Sequence, residues 1–329
     1  MNKFTHVNAT SVAEAATILA KGKAQVIAGG TDLTSSLKGM ISPNPPETIV
    51  NIKTVPNLVY IREEGGALRI GALTTLTAIA TSSVVRNNYT ALAQAALAVG
   101  SPELRNMGTI GGNICQKLRC IYYRNEFNDF PCIRKNPSGT CYALLGVNRY
   151  HSIYGGVNGC VAVCPSDVAV ALVALNAKII TNKNSAGWNA AEFFGAPNTT
   201  DVRREQINNL AADEIVTEIQ VPTPASGTKS AYQKFAFRKA IDFPLVSAAV
   251  VATVSNGNVT AASIALGGVH NSPRVATQAQ TSIVGKSINE ANAIATGEAA
   301  ATGAASLPHN NYKVQITKAM VKRALLACA

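Results

Sequence analysis

The segment AQVIAGGTDL, residues 24–33, joins a short apolar run to two glycines and a polar turn. The apolar run predicts a strand, and we expect a helix to begin just after the glycines. Glycines let main-chain N–H groups approach an anion closely, and a helix N-terminus adds partial positive charge. A simpler alternative is a strand end followed by a helix that Thr31 or Asp32 caps. The candidate phosphate-binding turn consists of Val26, Ile27, Ala28, Gly29, Gly30, Thr31, Asp32 and Leu33.

A second glycine-rich turn occurs far downstream, as Gly-Thr-Ile-Gly-Gly-Asn at residues 108–113. It combines glycines with the hydroxyl of Thr109 and the amide of Asn113, and two such turns can hold both phosphates of one dinucleotide. Alternatively, Asn113 hydrogen-bonds its own backbone in a tight turn. Neither turn has the G-x-G-x-x-G pattern of a nicotinamide-binding Rossmann domain, and no acidic residue follows at the expected distance. The sequence therefore disfavours that fold.

The order of the predicted elements divides the chain into three units and predicts an α+β class. Residues 1–55 predict a small α/β unit with a helix over residues 12–20. Residues 56–222 predict a second α/β unit, which a long loop at residues 117–160 interrupts. A loop of that length indicates a function or an internal ligand. Residues 225–329 predict a three-stranded antiparallel sheet and a C-terminal helix.

The bulk composition limits the classes of partner. The formal net charge of +11 indicates attraction to an anion, such as a phosphate-bearing cofactor, an acidic subunit or nucleic acid. Scattered Lys and Arg residues disfavour nucleic acid. The N-terminus lacks an uninterrupted apolar core, so we expect no export signal on this chain. The most apolar window, residues 168–180, is too short to cross a bilayer, so we expect no membrane insertion.

Four of the seven cysteines lie within the long loop. Their separations of 11, 8 and 18 residues contain no C-x-x-C pair of the kind found in zinc knuckles or bacterial ferredoxins. Spacing alone leaves two alternatives open, a metal or cluster site and unconnected thiols. A disulfide framework is not expected in a chain with a core of this size. The four candidate metal ligands are Cys120, Cys132, Cys141 and Cys160.

Several motifs together resemble the FAD-binding subunit or domain of the xanthine dehydrogenase family. The two glycine turns are followed by Pro165-Ser166-Asp167 and by Lys234 within Tyr232-Gln233-Lys234-Phe235, in the family's order. The resemblance implies two α/β subdomains of the PCMH type that clasp FAD, followed by a domain of the CO dehydrogenase flavoprotein C-terminal type. It also implies that the turns, including Thr109, Gly112 and Asn113, hold the pyrophosphate. Asp167 would bind the ribose or adenosine side and Lys234 would approach the flavin, although a lysine in such a strand is usually solvated.

The cysteine-bearing segments are most similar to those of the FAD subunit of periplasmic aldehyde oxidoreductase. The flavin subunit of 4-hydroxybenzoyl-CoA reductase carries a comparable inserted loop. In both, the loop holds a [4Fe-4S] cluster, so the resemblance implies that the four loop cysteines ligate one here. Cys115 or Cys164 could replace one of them as a ligand.

The resemblance implies an electron-transfer subunit with no catalytic residue of its own. Substrate would be oxidised at a molybdenum cofactor on a large subunit, and electrons would pass through [2Fe-2S] clusters on a small subunit to FAD and an external acceptor. Nothing in this sequence binds molybdopterin or forms the plant-type ferredoxin cluster. The rivals are a stand-alone flavoenzyme of the vanillyl-alcohol-oxidase type and a non-catalytic module whose cysteines bind structural zinc. The expected location is periplasmic, by co-export with a signal-bearing subunit, with cytoplasmic as the alternative.

Overall fold

A computed structural model of the chain describes residues 1–136, 138–195 and 207–329. In the N-terminal part, three parallel strands pair in the order β1-β3-β2. The first helix begins where expected, because the Ser11 hydroxyl accepts a hydrogen bond from the Glu14 N–H at 3.1 Å. The elements are β1 (Thr5–Asn8), α1 (Val12–Ala20), β2 (Ala24–Ile27), α2 (Leu33–Lys38) and β3 (Thr48–Asn51).

The middle part contains a five-stranded antiparallel sheet in the order β4-β5-β8-β6-β7, with short helices beside it. Residue 137 of the cysteine loop and residues 196–206 lie outside the described residues. The helices are α3 (Leu76–Thr81), α4 (Ser83–Asn88), α5 (Thr90–Leu97), α6 (Pro102–Met107), α7 (Ile110–Ile114), α8 (Tyr142–Leu145), α9 (Asp167–Ala174) and α10 (Ala190–Phe193). The strands are β4 (Ile61–Glu64), β5 (Ala67–Gly71), β6 (Lys178–Thr181), β7 (Trp188–Asn189) and β8 (Val216–Pro222).

The C-terminal part is an antiparallel sheet in the order β12-β11-β10-β9, covered by helices. The three predicted strands are present, and a two-residue fourth strand, at Arg274–Val275, extends the edge beside Ala265 and Leu266. The elements are β9 (Thr228–Phe235), β10 (Val246–Ser255), β11 (Asn258–Gly267), β12 (Arg274–Val275), α11 (Thr277–Ile283), α12 (Glu290–Ala300) and α13 (Tyr312–Leu326).

Helix α9 connects the middle and C-terminal parts. Every residue from Asp167 to Ala174 is buried, and the helix packs against α5 and against strands β10 and β11. The Ser166 hydroxyl caps it by accepting the Ala169 N–H at 3.0 Å. A helix that is apolar all round is stable only inside a protein. Helix α9 therefore depends on its packing against both parts.

The N-terminal end of α13 holds the end of the cysteine loop. The fully buried ammonium of Lys313 donates hydrogen bonds to the carbonyl oxygens of Gly268 at 2.6 Å, His151 at 2.9 Å and Tyr150 at 3.3 Å. The Asn310 amide donates to the Ser152 carbonyl oxygen at 3.0 Å. Burial lowers the pKa of Lys313 to about 7. This contact joins the cysteine loop to the C-terminal part.

Replacing Lys313 with Met should change how stability depends on pH. Between the lowered pKa of about 7 in the folded chain and the ordinary value of 10.5, the unfolded chain binds more protons. The free energy of unfolding of the wild type should therefore rise with pH from 7 to 9 relative to that of Lys313→Met. Urea unfolding followed by circular dichroism at pH 7, 8 and 9 measures the difference. Parallel pH profiles would show that Lys313 keeps an ordinary pKa.

Candidate cofactor-binding site

The two glycine turns are in direct contact. A Cβ atom added at Gly29 would lie 2.0 Å from the main-chain oxygen of Met107 and 3.1 Å from Cα of Gly108. Gly30 has a φ of 72°, in the left-handed region that glycine adopts at little cost. Both positions therefore require glycine, one because of the close approach and the other because of the turn conformation. The predicted convergence of the two turns agrees with this geometry.

A cavity of about 490 Å³ opens beside the turns, within the usual size range of cofactor sites. Eleven of the thirteen predicted cofactor-contact residues line it. These eleven are Val26, Ile27, Ala28, Gly29, Gly30, Thr31, Asp32, Leu33, Thr109, Gly112 and Asn113. Asp167 and Lys234 do not line this cavity.

The first turn has main-chain donors available for a ligand. Within the described ranges, the N–H groups of Gly29, Gly30 and Thr31 donate no hydrogen bond to another residue. In the second turn, by contrast, the N–H of Ile110 donates to the Thr74 carbonyl and that of Gly111 to the Ala72 carbonyl, each at 2.9 Å. The first turn thus has main-chain N–H groups available for a ligand, whereas those of Ile110 and Gly111 in the second turn are already paired.

Asp32 ties the first turn to the start of the cysteine loop. Its carboxylate forms ion pairs with Arg119 and Arg124, each at 2.9 Å, and accepts the Lys117 N–H at 3.0 Å. Burial favours a raised pKa for Asp32, but Arg119 and Arg124 outweigh it and hold the pKa below its ordinary value. The carboxylate is therefore ionised at neutral pH, and its contacts within the chain are structural.

The C-terminal part also contributes to the cavity wall, which sequence reasoning missed. The Arg119 guanidinium lies 4.2 Å from the ring centroid of Phe243, and both residues line the cavity. Ile241, another lining residue, has a φ of 71°, which is strained for a β-branched side chain. Its N–H donates to the Gly100 carbonyl at 3.0 Å. The aromatic residues between β9 and β10 are visible in the sequence, but only the folded structure shows that Phe243 lines the cavity.

Asp167 and Lys234 form an ion pair with each other behind the second turn. The Lys234 ammonium lies 2.8 Å from the Asp167 carboxylate and also donates to the Ala98 carbonyl at 2.9 Å. The Tyr232 hydroxyl donates to the other carboxylate oxygen. Burial raises the pKa of Asp167 against the opposing effect of Lys234. One residue earlier, the Ser166 hydroxyl donates to the Asn113 side chain at 2.5 Å, which connects this network to the second turn.

Three of the four candidate ligand cysteines are neighbours. Cys120, Cys132 and Cys160 are close enough for each thiol to affect the ionisation of another. Burial raises the pKa of Cys120 to about 12 and also raises that of Cys132. Cys141 is half-buried just before α8. In the ranges that the structure describes, no three His, Cys, Asp or Glu side chains are arranged to hold a single metal ion.

Nitrogen atoms lie against two of these sulfurs. Nε of Arg134, which is buried, donates to Sγ of Cys160 at 2.9 Å. Nε2 of His151 lies 3.1 Å from Sγ of Cys120. Of the two predicted replacement ligands, Cys115 is exposed and lines the cavity, while Cys164 is buried just before α9.

Comparison with known proteins identifies the family. Residues 2–224 match the family described as FAD binding domain in molybdopterin dehydrogenase, and residues 230–328 match the CO dehydrogenase flavoprotein C-terminal domain. The chain belongs to this family of molybdopterin dehydrogenase flavoproteins. It is 33% identical over 279 residues to the aldehyde oxidoreductase FAD-binding subunit PaoB of Escherichia coli K12, a match that covers 83% of each chain.

Further relatives of this molybdopterin dehydrogenase flavoprotein extend over nearly its whole length. The carbon monoxide dehydrogenase medium chain of Afipia carboxidovorans is 27% identical, over 98% of this chain and 95% of the relative. A solved carbon monoxide dehydrogenase from Hydrogenophaga pseudoflava gives a TM-score of 0.75 at 27% identity and covers 99% of this chain and 97% of its own. The predicted family, the α+β fold, FAD as cofactor and the role as a flavoprotein component of an oxidoreductase are confirmed.

Several predictions remain outside these findings. The division at residues 55 and 222, the individual contact residues, the [4Fe-4S] cluster and the periplasmic location stay predictions. In the described parts of the chain, no helix has the length and apolarity that crossing a bilayer requires.

Replacing Gly29 with Ala should weaken FAD binding roughly tenfold or more, about 1.4 kcal/mol, because the added methyl group forces the two turns apart. Gly285→Ala is the control for adding a methyl group without a clash, since Gly285 has a φ of 82° but no other atom lies within 4 Å of the added Cβ. FAD retained per chain after dialysis, together with the dissociation constant from flavin fluorescence, measures the effect. Equal retention by both variants would contradict the role of the close approach.

Replacing Asp32 with Asn should lower the free energy of unfolding by about 3–5 kcal/mol, because Arg119 and Arg124 would remain buried without a counter-charge. The carboxylate has a lowered pKa, so its contribution is present at neutral pH and is lost as the pH falls through that value. Denaturant unfolding of the wild type and of Asp32→Asn should therefore show a large difference in the free energy of unfolding at pH 7 and a smaller one at pH 3. Asp213→Asn, at an exposed ion pair with Lys183, should have little effect at either pH.

Proposed function

We propose that this chain is the FAD-binding electron-transfer subunit of a molybdenum-containing aldehyde oxidoreductase. The 33% identity to an aldehyde oxidoreductase FAD-binding subunit, over 83% of each chain, favours aldehydes over carbon monoxide as the substrate class. The observation that carries the proposal is the contact of Gly29 with Met107, because it brings both glycine turns to one cavity.

The residues at the cavity fit FAD. The N–H groups of Gly29, Gly30 and Thr31 supply donors for an anionic diphosphate, and Lys117 and Arg119 add positive charge to the wall. FAD, when bound, supplies the exchange between two-electron and one-electron chemistry. The chain's own part is to bind and orient, with the Phe243 ring and the Arg119 guanidinium closing one side of the cavity against water.

We also propose that Cys120, Cys132, Cys141 and Cys160 hold a [4Fe-4S] cluster, as the family resemblance implies. A four-iron cluster binds each thiolate through a different iron, so its ligands do not surround one point as those of a single ion do. The surroundings fit, since the buried Nε of Arg134 donates to the Cys160 sulfur and a ring nitrogen of His151 lies against the Cys120 sulfur. The loop also contains buried polar atoms without a hydrogen-bond partner, namely Nη1 of Arg124, Oδ1 of Asn125, Oδ1 of Asn128 and Nδ1 of His151.

The proposed assembly contains a large molybdenum-cofactor subunit and a small [2Fe-2S] subunit, with an external electron acceptor. The names of the relatives, "FAD-binding subunit" and "medium chain", support a multi-subunit complex. We propose a periplasmic location reached by co-export with a signal-bearing subunit. Purification of the complex with its co-expressed partners tests these points, and a chain that oxidises aldehydes alone would favour the stand-alone flavoenzyme instead.

Cys132→Ser should remove most of the iron and leave the flavin largely bound, because Cys132 does not line the FAD cavity. Cys328→Ser, at another buried cysteine, is the matched control and should keep both. Iron, zinc, acid-labile sulfide and flavin per chain are the quantities to measure. Zinc without iron would favour a structural zinc module, and equal loss of iron and flavin would show that the loop supports the whole fold.

A further inference from the structure

Arg134 occupies an unusual position for a guanidinium. Its exposed fraction is 6%, and its Nε donates to the Cys160 sulfur at 2.9 Å. The Asn271 amide approaches the same sulfur at 3.8 Å, from the loop between β11 and β12. A metal-bound thiolate accepts a charge-assisted hydrogen bond from such a donor, which is stronger than the bond that a neutral thiol accepts.

The Cys120 sulfur has a nitrogen neighbour of a different kind. Nε2 of His151 lies 3.1 Å away, and the ring is buried. The role of this ring nitrogen as donor or acceptor depends on the tautomer, whereas the Arg134 guanidinium can only donate and carries a permanent positive charge.

We propose that Arg134 is a positioning residue that raises the reduction potential of the cluster by donating to the Cys160 sulfur. The inference rests on the proposed function, because it requires that the four cysteines hold a cluster. Reduction adds one negative charge to the cluster and its thiolates. A buried N–H donor and its positive charge stabilise the more negative state more strongly, which shifts the potential upwards.

The raised reduction potential would affect electron transfer within the assembly. A cluster with a higher potential accepts electrons more readily from a donor in the assembly. Arg134 lies two residues from Cys132 in the chain and contacts Cys160, so one side chain joins two of the ligand segments. Replacing Arg134 can therefore have two effects, which are measured separately: on the iron that the chain retains and on the reduction potential of the cluster.

The experiment compares the purified complex carrying wild-type chain, Arg134→Gln, Arg134→Lys or Arg149→Gln. Arg149 is an exposed arginine in the same loop, so its replacement removes the same charge without removing a sulfur contact. A redox titration with dithionite, followed by electron paramagnetic resonance, gives the midpoint potential of the cluster. Iron and sulfide per chain are measured on the same samples.

The expected result is a more negative midpoint potential for Arg134→Gln, a partial return for Arg134→Lys, and the wild-type value for Arg149→Gln. If Arg134→Gln cannot hold iron, Arg134→Lys supplies the comparison and should still lie below the wild type. If all variants retain four irons per chain and have the same midpoint potential, the role of Arg134 is overturned while the cluster assignment stands. A wild-type complex without iron and sulfide in this chain would overturn the cluster assignment and this inference together.

Discussion

The close approach of Gly29 to the Met107 carbonyl is the constraint on which the rest of the site depends. No side chain fits between the two turns, so the first turn must end its strand in glycine. In the described chain, the N–H groups of Gly29, Gly30 and Thr31 have no partner, whereas those of Ile110 and Gly111 in the second turn donate to the Thr74 and Ala72 carbonyls. A pocket with unpaired main-chain donors on one wall suits an anionic diphosphate.

Two ion-pair networks hold the turns in this arrangement. Asp32 joins the first turn to Arg119 and Arg124, at the start of the cysteine loop. The ion pair of Asp167 and Lys234 joins α9 to the C-terminal sheet. The neighbouring Ser166 hydroxyl donates to the Asn113 side chain and so connects this network to the second turn. The flavin cavity and the cysteine loop are therefore mechanically linked, because Arg119 takes part in the wall of one and directly precedes a cysteine of the other.

The sequence was sufficient where structure is local. Helix α1 spans Val12–Ala20, as the pattern over residues 12–20 predicted, and the Ser11 hydroxyl caps its first turn. The glycine turns are local too, so their residues could be named in advance. The partners of charged side chains could not, since Asp32 meets Arg119 across 87 residues and Asp167 meets Lys234 across 67. Only tertiary packing decides that these carboxylates face arginine and lysine side chains of the same chain.

The most direct test of the central claim is an experimental structure of the FAD-loaded complex. The account predicts that the main-chain nitrogens of Gly29, Gly30 and Thr31 lie within hydrogen-bond distance, about 2.7–3.2 Å, of diphosphate oxygens, with the second turn against the same group. A diphosphate bound elsewhere, with these nitrogens facing only solvent, would contradict it.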